Sequence, residues 1–456
     1  MLIGLVRSRD DKARGEASLE ELALLTDTAG SDPVELALVK RERPVAATYI
    51  GKGKLAELVA ISHAEDIDVV VFDNDLTPAQ QRNLQQAFQC DVVDRVALIL
   101  DIFAQHAHTK EGMLQVELAQ LRYRLPRLRG RGIELSRLGA GIGTRGPGET
   151  KLETDRRRIL DRIRKIEREL KDAHRSRTTR SKQRRSSGES VLAIVGYTNA
   201  GKSTLFNQLT DADVLVEDQL FATLDSTVRQ LDLPHGHEAL VSDTVGFVRD
   251  LPHELVEAFM STLEEIADAD LLIHLVDASD PDPDHQLRSV RIVLSEIGAD
   301  TVDELMVFNK IDAAGELTVR RLRALHPDAV FVSAATGEGV DELLNAVVAG
   351  LDARTVELVL EIPYDKGDVL ADAHASGDVR NLEHHETGSR VTVMIPHEEA
   401  ARFRPYVAEQ DVDNPSGPPF KGDGRGAPAT MQGDDKRSTA TVLPALQGGF
   451  SRFSPS

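Results

Sequence analysis

Apolar residues along this chain fall into short blocks, and the spacing inside each block predicts its element. In the first hundred residues VAATYI (45–50), IDVVVFD (67–73) and CDVVD (90–94) are continuous apolar runs of strand length. KLAELVAISHAE (54–65) and TPAQQRNLQQAF (77–88) space their apolar residues at helical intervals. The second opens with Thr77, a capping residue, and Pro78, which suits a first helical turn. IGKGK (50–54) lacks the spacing of a phosphate loop and reads as a turn that starts a helix. Such alternation predicts an α/β unit with a parallel sheet.

Two longer amphipathic stretches follow. EGMLQVELAQLRYRLPRL (111–128) aligns Leu114, Leu118, Leu121 and Leu125. ETKLETDRRRILDRIRKIERELKDAH (149–174) repeats Leu152, Ile159, Ile163, Ile166 and Leu170. Two stripes in succession predict a long antiparallel helical pair. From 191 the strand–helix alternation returns in VLAIVGY, EALVSDTVG, ADLLIHLVDAS, LMVFNKID and AVFVSAATG. VELVLEIP, GDVLADAHASG and RVTVMIP then outline a smaller α/β module. The expected fold class is α/β throughout. The expected division is 1–105 (α/β), 106–188 (helical pair with a glycine-rich loop), 189–354 (mostly parallel sheet flanked by helices), 355–410 (small module) and 411–456, a Pro/Gly/Asp-rich flexible tail.

Composition narrows the class. One cysteine, Cys90, argues against a disulfide framework and fits a reducing cytoplasm. The apolar runs are too short for a membrane span or a secretory leader, so a cytoplasmic protein with no membrane partner is expected. Across all 456 residues the net charge is -21, which alone disfavours a polyanionic partner. The charge is unevenly distributed, however. Leu121–Ser190 carries 22 basic against 9 acidic residues, a surplus of 13, leaving −34 for the rest. DRRRILDRIRKIERELKD (155–172) alone would read as a helix laced with salt bridges. RYRLPRLRGRG (122–132) and RSRTTRSKQRR (175–185) contain no acid, the footprint of a nucleic-acid contact.

The chemistry sits after 195. GYTNAGKS, from Gly196 through Tyr197, Thr198, Asn199, Ala200, Gly201 and Lys202 to Ser203, has phosphate-loop spacing between a strand and a helix. Backbone N–H groups there can wrap phosphates, Lys202 can reach the β- and γ-phosphates, and the Ser203 hydroxyl can ligate Mg²⁺. Asn309, Lys310, Ile311 and Asp312 form NKID at a strand end. The Asp312 carboxylate can accept from guanine N1–H and its amine, which adenine does not offer, and Lys310 would lie over the base. Ser333, Ala334 and Ala335 resemble a loop that meets guanine O6. Asp243, Thr244, Val245 and Gly246 form DTVG, where Asp243 would hold Mg²⁺ through water and the Gly246 N–H would meet the γ-phosphate. Between these motifs lies FATLD, comprising Phe221, Ala222, Thr223, Leu224 and Asp225, and Thr223 is the candidate second Mg²⁺ hydroxyl. Together these predict a Mg²⁺-dependent GTPase binding GTP and GDP, with Lys202, Thr223 and Gly246 acting at the γ-phosphate. Phe247 stands where small signalling GTPases carry a water-orienting Gln, so intrinsic hydrolysis should be slow. Asn199 either suits the tight turn or helps hold K⁺.

FATLDSTVRQ, DTVGFVRDLP, NKID and above all GAGIGTRGPGETKLETDRR (139–157) resemble the HflX GTPases. The resemblance spans about residues 40–350. It implies binding to the large ribosomal subunit, with rRNA contacted through 106–188, and a role in ribosome splitting or stress-linked translation control. A monomer off the ribosome is expected. The residues agree: seven glycines lie between 130 and 148 with Arg131, Arg137 and Arg145, suited to following RNA closely. A protein-effector switch and an RNA-remodelling NTPase are the rival readings.

Overall fold

A computed structural model describes residues 1–7, 12–128, 147–186, 190–210, 220–249 except 222 and 225, then 255, 259 and 263–408. The expected tail and most of the glycine-rich loop, with Arg131, Arg137 and Arg145, lie outside the described residues.

The first sheet is parallel, with order β2-β1-β3-β4: β1 Leu2–Val6, β2 Leu36–Lys40, β3 Val69–Phe72 and β4 Asp91–Asp94. Helices α1 Lys12–Thr28, α2 Lys52–Ala64, α3 Pro78–Phe88 and α4 Arg95–His106 connect and cover it. Its inner strands β1 and β3 are short and largely buried, as parallel strands between helices must be. Helix α3 begins as its sequence predicts, with Thr77 and Gln80 forming a reciprocal capping box and Pro78 in the first turn. Gly51 is the N-cap of α2, in keeping with a helix-start turn at IGKGK.

One predicted strand is corrected. VAATYI is not extended; it is a tight turn closed by a Val45–Tyr49 bridge, with Tyr49 at φ 62°. Ala46 and Ala47 are exposed, so the apolar run never acquires the two-sided burial that a central strand needs. Leu2–Val6 supplies a central strand instead, β1, and Leu36–Lys40 the edge strand, β2.

Helix α5, Lys110–Arg127, packs against α6, Pro147–Ser186. Leu118, Ile163 and Ile166 form the seam, flanked by Leu114, Leu121, Leu125, Ile159 and Leu170. Beyond α6 comes the second sheet, with order β10-β9-β8-β5-β7-β6. Its strands are β5 Ser190–Gly196, β6 Thr227–Asp232, β7 Glu238–Asp243, β8 Leu271–Asp277, β9 Asp303–Asn309 and β10 Val330–Phe331. All pairings are parallel except β6 with β7. Helices α7 Lys202–Thr210, α8 Pro283–Glu296, α9 Glu316–Leu325 and α10 Val340–Asp352 flank it.

The third sheet, β11-β13-β12, is antiparallel: β11 Thr355–Pro363, β12 Asp378–His384 and β13 Gly388–Pro396. Helices α11 Gly367–Ser376 and α12 His397–Phe403 accompany it, with Phe403 and Ala373 in the core built on Leu360, Val391 and Val393. No helix among the described residues is long and apolar enough to cross a membrane.

The largest hydrophobic core joins the first two sheets. Leu19, Leu22, Leu25, Ile99 and Phe103 from α1 and α4 share it with Val195, Tyr197, Phe221, Val245, Phe247 and Phe259. Burial at this joint removes apolar surface from water on both sides, at about 25 cal/mol per Å².

Candidate nucleotide site

The phosphate loop lies between β5 and α7, at the carboxyl ends of the parallel strands. Gly201 has φ 89°, and a Cβ there would overlap the Asn309 side-chain amide. Asn199 has φ 58°, a left-handed conformation that asparagine tolerates better than most residues. Its side chain therefore suits the tight turn, and its Oδ1 lies 3.5 Å from Lys310 Nζ. Lys202 is 7% exposed and donates to the Tyr197 carbonyl at 2.9 Å. Burial lowers its ammonium to about 8, partly opposed by the Asp243 carboxylate.

Asp243 ends β7 and is fully buried. Its Oδ2 accepts from Ser203 Oγ at 2.7 Å and from Thr223 Oγ1 at 3.0 Å, and the two hydroxyls lie 2.8 Å apart. Burial pushes the Asp243 carboxyl up against the lowering effect of Lys202 and the two hydroxyls. Among the described residues Asp243 Oδ1 and Thr198 Oγ1 are buried with no hydrogen-bond partner. Two hydroxyls and a carboxylate with an unused oxygen make a hard donor set of the kind Mg²⁺ takes.

The segment after β7 is tied to the loop through the backbone. The Phe247 N–H donates to the Gly196 carbonyl at 3.1 Å, and the Thr198 N–H donates to the Phe247 carbonyl at 2.7 Å. Gly246 is thereby pressed on the loop, where a Cβ would come 2.7 Å from Thr198 Cγ2 and 3.0 Å from Lys202 Nζ. Phe247 is 1% exposed and belongs to the shared core, so its ring turns inward instead of occupying the water-orienting position.

On the other flank, Asn309 is buried and uses both ends of its amide on the protein. Its Nδ2 donates to the Ala200 carbonyl at 2.8 Å, and its Oδ1 accepts from the Ala334 N–H at 2.9 Å. Asn309 therefore stitches the phosphate loop to the 333–335 segment. Lys310 has φ 60° and pairs with Asp277 at 2.9 Å. Ile311 N–H reaches the Val332 carbonyl at 3.3 Å, and Asp312 is exposed. Ser333 and Ala334 are buried, Ala335 is exposed, and Ser333 Oγ accepts from the Thr336 N–H at 3.2 Å.

The residues singled out in sequence therefore gather around one loop, with exceptions. Phe221, Leu224 and Val245 send their side chains into the shared core. Thr244 is buried and donates to the Ile194 carbonyl at 2.7 Å. Ala222 and Asp225 lie outside the described residues.

The chain matches four family descriptions in succession: "GTP-binding GTPase N-terminal" over residues 16–104, "GTP-binding GTPase Middle Region" over 106–184, "50S ribosome-binding GTPase" over 191–310 and "HflX C-terminal domain" over 319–406. The GTPase HflX of Caldanaerobacter subterraneus is 46% identical over 407 residues, covering 89% of this chain and 93% of that protein. The chain belongs to the HflX GTPase family. The Escherichia coli GTPase HflX is 43% identical over 351 residues, covering 76% of this chain and 82% of its own length. A Sulfolobus solfataricus GTP-binding protein solved with GDP is 25% identical, covers 77% of this chain and 98% of its own, and has a TM-score of 0.39. As an HflX-family member, the protein binds guanine nucleotide and hydrolyses GTP.

Sequence reasoning missed the residues of the HflX N-terminal region that touch this site. The Tyr197 hydroxyl donates to Glu21 of α1 at 2.6 Å and accepts from the Arg249 N–H at 2.6 Å. Glu21 also pairs with Arg95 at 3.0 Å and lies 3.7 Å from Arg249 Nε. Arg95, 5% exposed, reaches Asp73 at 2.8 Å, and Ser18 Oγ donates to Asp73 at 2.7 Å. Burial and the neighbouring Glu21 carboxylate together hold the Tyr197 phenol above its usual range. These contacts join positions as far apart in sequence as Glu21 and Arg249, and no local spacing announces them.

Proposed function

We propose that this GTPase uses Mg²⁺ and that its GTP-bound form associates with the large ribosomal subunit. The observation that carries the nucleotide half is the convergence of Ser203 and Thr223 on Asp243 beside the phosphate loop. In this reading the Ser203 and Thr223 hydroxyls hold the ion and Asp243 holds it through water. When bound, the ion would neutralise charge developing on the β- and γ-phosphates. Lys202 reaches the same phosphates, and a desolvated ammonium with no fully paired counter-ion is suited to receiving an anion. The Gly246 N–H faces the γ-phosphate, so loss of that group releases the segment after β7. Asp312 selects guanine, Lys310 leaves Asp277 to cover the base, and the 333–335 segment meets guanine O6.

The inward Phe247 supplies no proton acceptor, so water must be oriented by another group. K⁺ held by Asn199 is one candidate, and equal turnover in K⁺ and Na⁺ would remove it.

Support for the ribosomal half comes from the "50S ribosome-binding GTPase" description and from the basic surplus between 121 and 190. That surplus is partly neutralised within α6, where Arg156, Arg158, Arg164, Lys165 and Arg175 pair with acids three or four residues away. Arg122 and Arg127 are likewise spent on Glu167 and Asp94, so the rRNA contact falls to the remaining arginines of 122–132 and to 176–185. We divide the molecule at 105, 188, 354 and 410, with 106–188 facing the ribosome, and we read it as a cytoplasmic monomer off the ribosome. Ribosome splitting is the finer activity that fits this arrangement. Sedimentation with isolated large subunits tests the reading. More protein should travel with them in a non-hydrolysable GTP analogue than in GDP; equal amounts would favour a protein-effector switch.

A further inference from the structure

Neither segment that touches the γ-phosphate side of the site rests on the second sheet alone. Phe221 lies two residues before Thr223, is 2% exposed and has φ 61°. An aromatic residue keeps that left-handed conformation only where its surroundings impose it. Phe103 of α4 meets the Phe221 ring edge-on, with centroids 4.6 Å apart, and meets Phe259 at 5.0 Å. Thr28, at the end of α1, accepts from the neighbouring Leu220 N–H at 3.3 Å. Beyond this packed corner, the Thr223 hydroxyl reaches Ser203 and Asp243.

We propose that Phe103 is a positioning residue for the GTP state. By holding Phe221 in its left-handed conformation, it sets Thr223 beside Ser203 and Asp243 and so raises the preference for GTP over GDP. The proposal rests on assigning Thr223 to the Mg²⁺·GTP state. Contacts of the phosphate loop and of NKID serve both nucleotides equally and shift nothing between them. Thr223 is needed only when the γ-phosphate is present, so whatever positions Thr223 acts on GTP alone. The converse follows by linkage: GTP strengthens the packing of α4 on Phe221, so the N-terminal helices sense the nucleotide.

The test is the affinity of the full chain for GDP and for a non-hydrolysable GTP analogue, both with Mg²⁺. Phe103→Ala should weaken the analogue about three- to tenfold, the worth of one aromatic pair, and leave GDP within about twofold. Phe103→Leu, which keeps apolar bulk but loses the ring pair, should fall between wild type and Phe103→Ala. Phe221→Gly permits the same backbone angle without the ring and should reproduce the selective loss. Combining it with Phe103→Ala should add nothing further. Equal weakening of both nucleotides, an unchanged ratio or additive losses would overturn the proposal. Thr223→Ala separates the two assignments. If it leaves the ratio unchanged, the Thr223 assignment fails and the proposal with it. If it lowers the ratio while Phe103→Ala does not, only the role of Phe103 fails.

Discussion

Two sheets in this chain, one parallel and one parallel but for its edge strand β6, treat their carboxyl ends in opposite ways. Open α/β sheets bind ligands outside the strand ends where the strand order reverses. In the second sheet that crevice presents the phosphate loop, with buried Lys202 and Asp243 aimed into it. In the first sheet the reversal lies between β1 and β3, and the chain itself fills it. Asp73 and Arg95 stand directly after β3 and β4, Glu21 approaches from α1, and Tyr197 enters from the phosphate loop of the other sheet. Similar scaffolds thus yield one open polar site and one cluster whose buried charges pair with one another, although the Arg95 and Arg249 Nε–H groups find no hydrogen-bond acceptor among the described residues.

Substitutions at the open site should therefore cost function, and those at the filled one stability. The largest effect belongs to Lys202→Ala, which should lower GTP turnover by about 10²–10³. Its unfolding midpoint without nucleotide should stay near wild type, because burial already disfavours that charge. Asp312→Asn should weaken GTP on the order of 10²–10³-fold by removing the acceptor for the guanine edge, and competition against xanthine and adenine nucleotides measures the change. Arg95→Ala should instead destabilise the fold by about 3–5 kcal/mol, since Glu21 and Asp73 lose their shared buried cation; denaturant unfolding measures this. A smaller effect lies in the second sheet, where Glu304 accepts from His274 at 2.7 Å and pairs with Arg291. Burial alone would raise its carboxyl, but the hydrogen bonds and charges of His274 and Arg291 outweigh it and hold the group at about 2. That stability is present above the ordinary value of 4.5 and is lost as pH falls toward about 2. Glu304→Gln should therefore cost about 2 kcal/mol at pH 7, with the difference closing over that window.

The same contrast explains what the sequence disclosed. The open site is written in contiguous motifs because a backbone that wraps phosphates needs glycine, lysine and serine at fixed local spacing. Gly196–Ser203 is legible for that reason, and Asp243–Gly246 and Asn309–Asp312 because each gathers its contacts into four consecutive residues at a strand end. The filled site joins Ser18, Glu21, Asp73, Arg95, Tyr197 and Arg249, which share no spacing; each alone reads as an ordinary surface charge, hydroxyl or ring. Strands β1 and β2 escaped notice because five residues carry little periodicity, whereas VAATYI carried the apolar run of a strand without the burial. The inward turn of Phe247 also required the structure, because its core partners Leu22 and Phe103 come from the other sheet's helices.

Calorimetric titration of the full chain tests the contrast most directly, using a non-hydrolysable GTP analogue and, separately, ATP. A single guanine nucleotide should bind per chain, with binding lost in Lys202→Ala, and ATP should give no saturable heat. A second nucleotide per chain, or ATP binding that survives Lys202→Ala, would show that the first sheet has an open site after all.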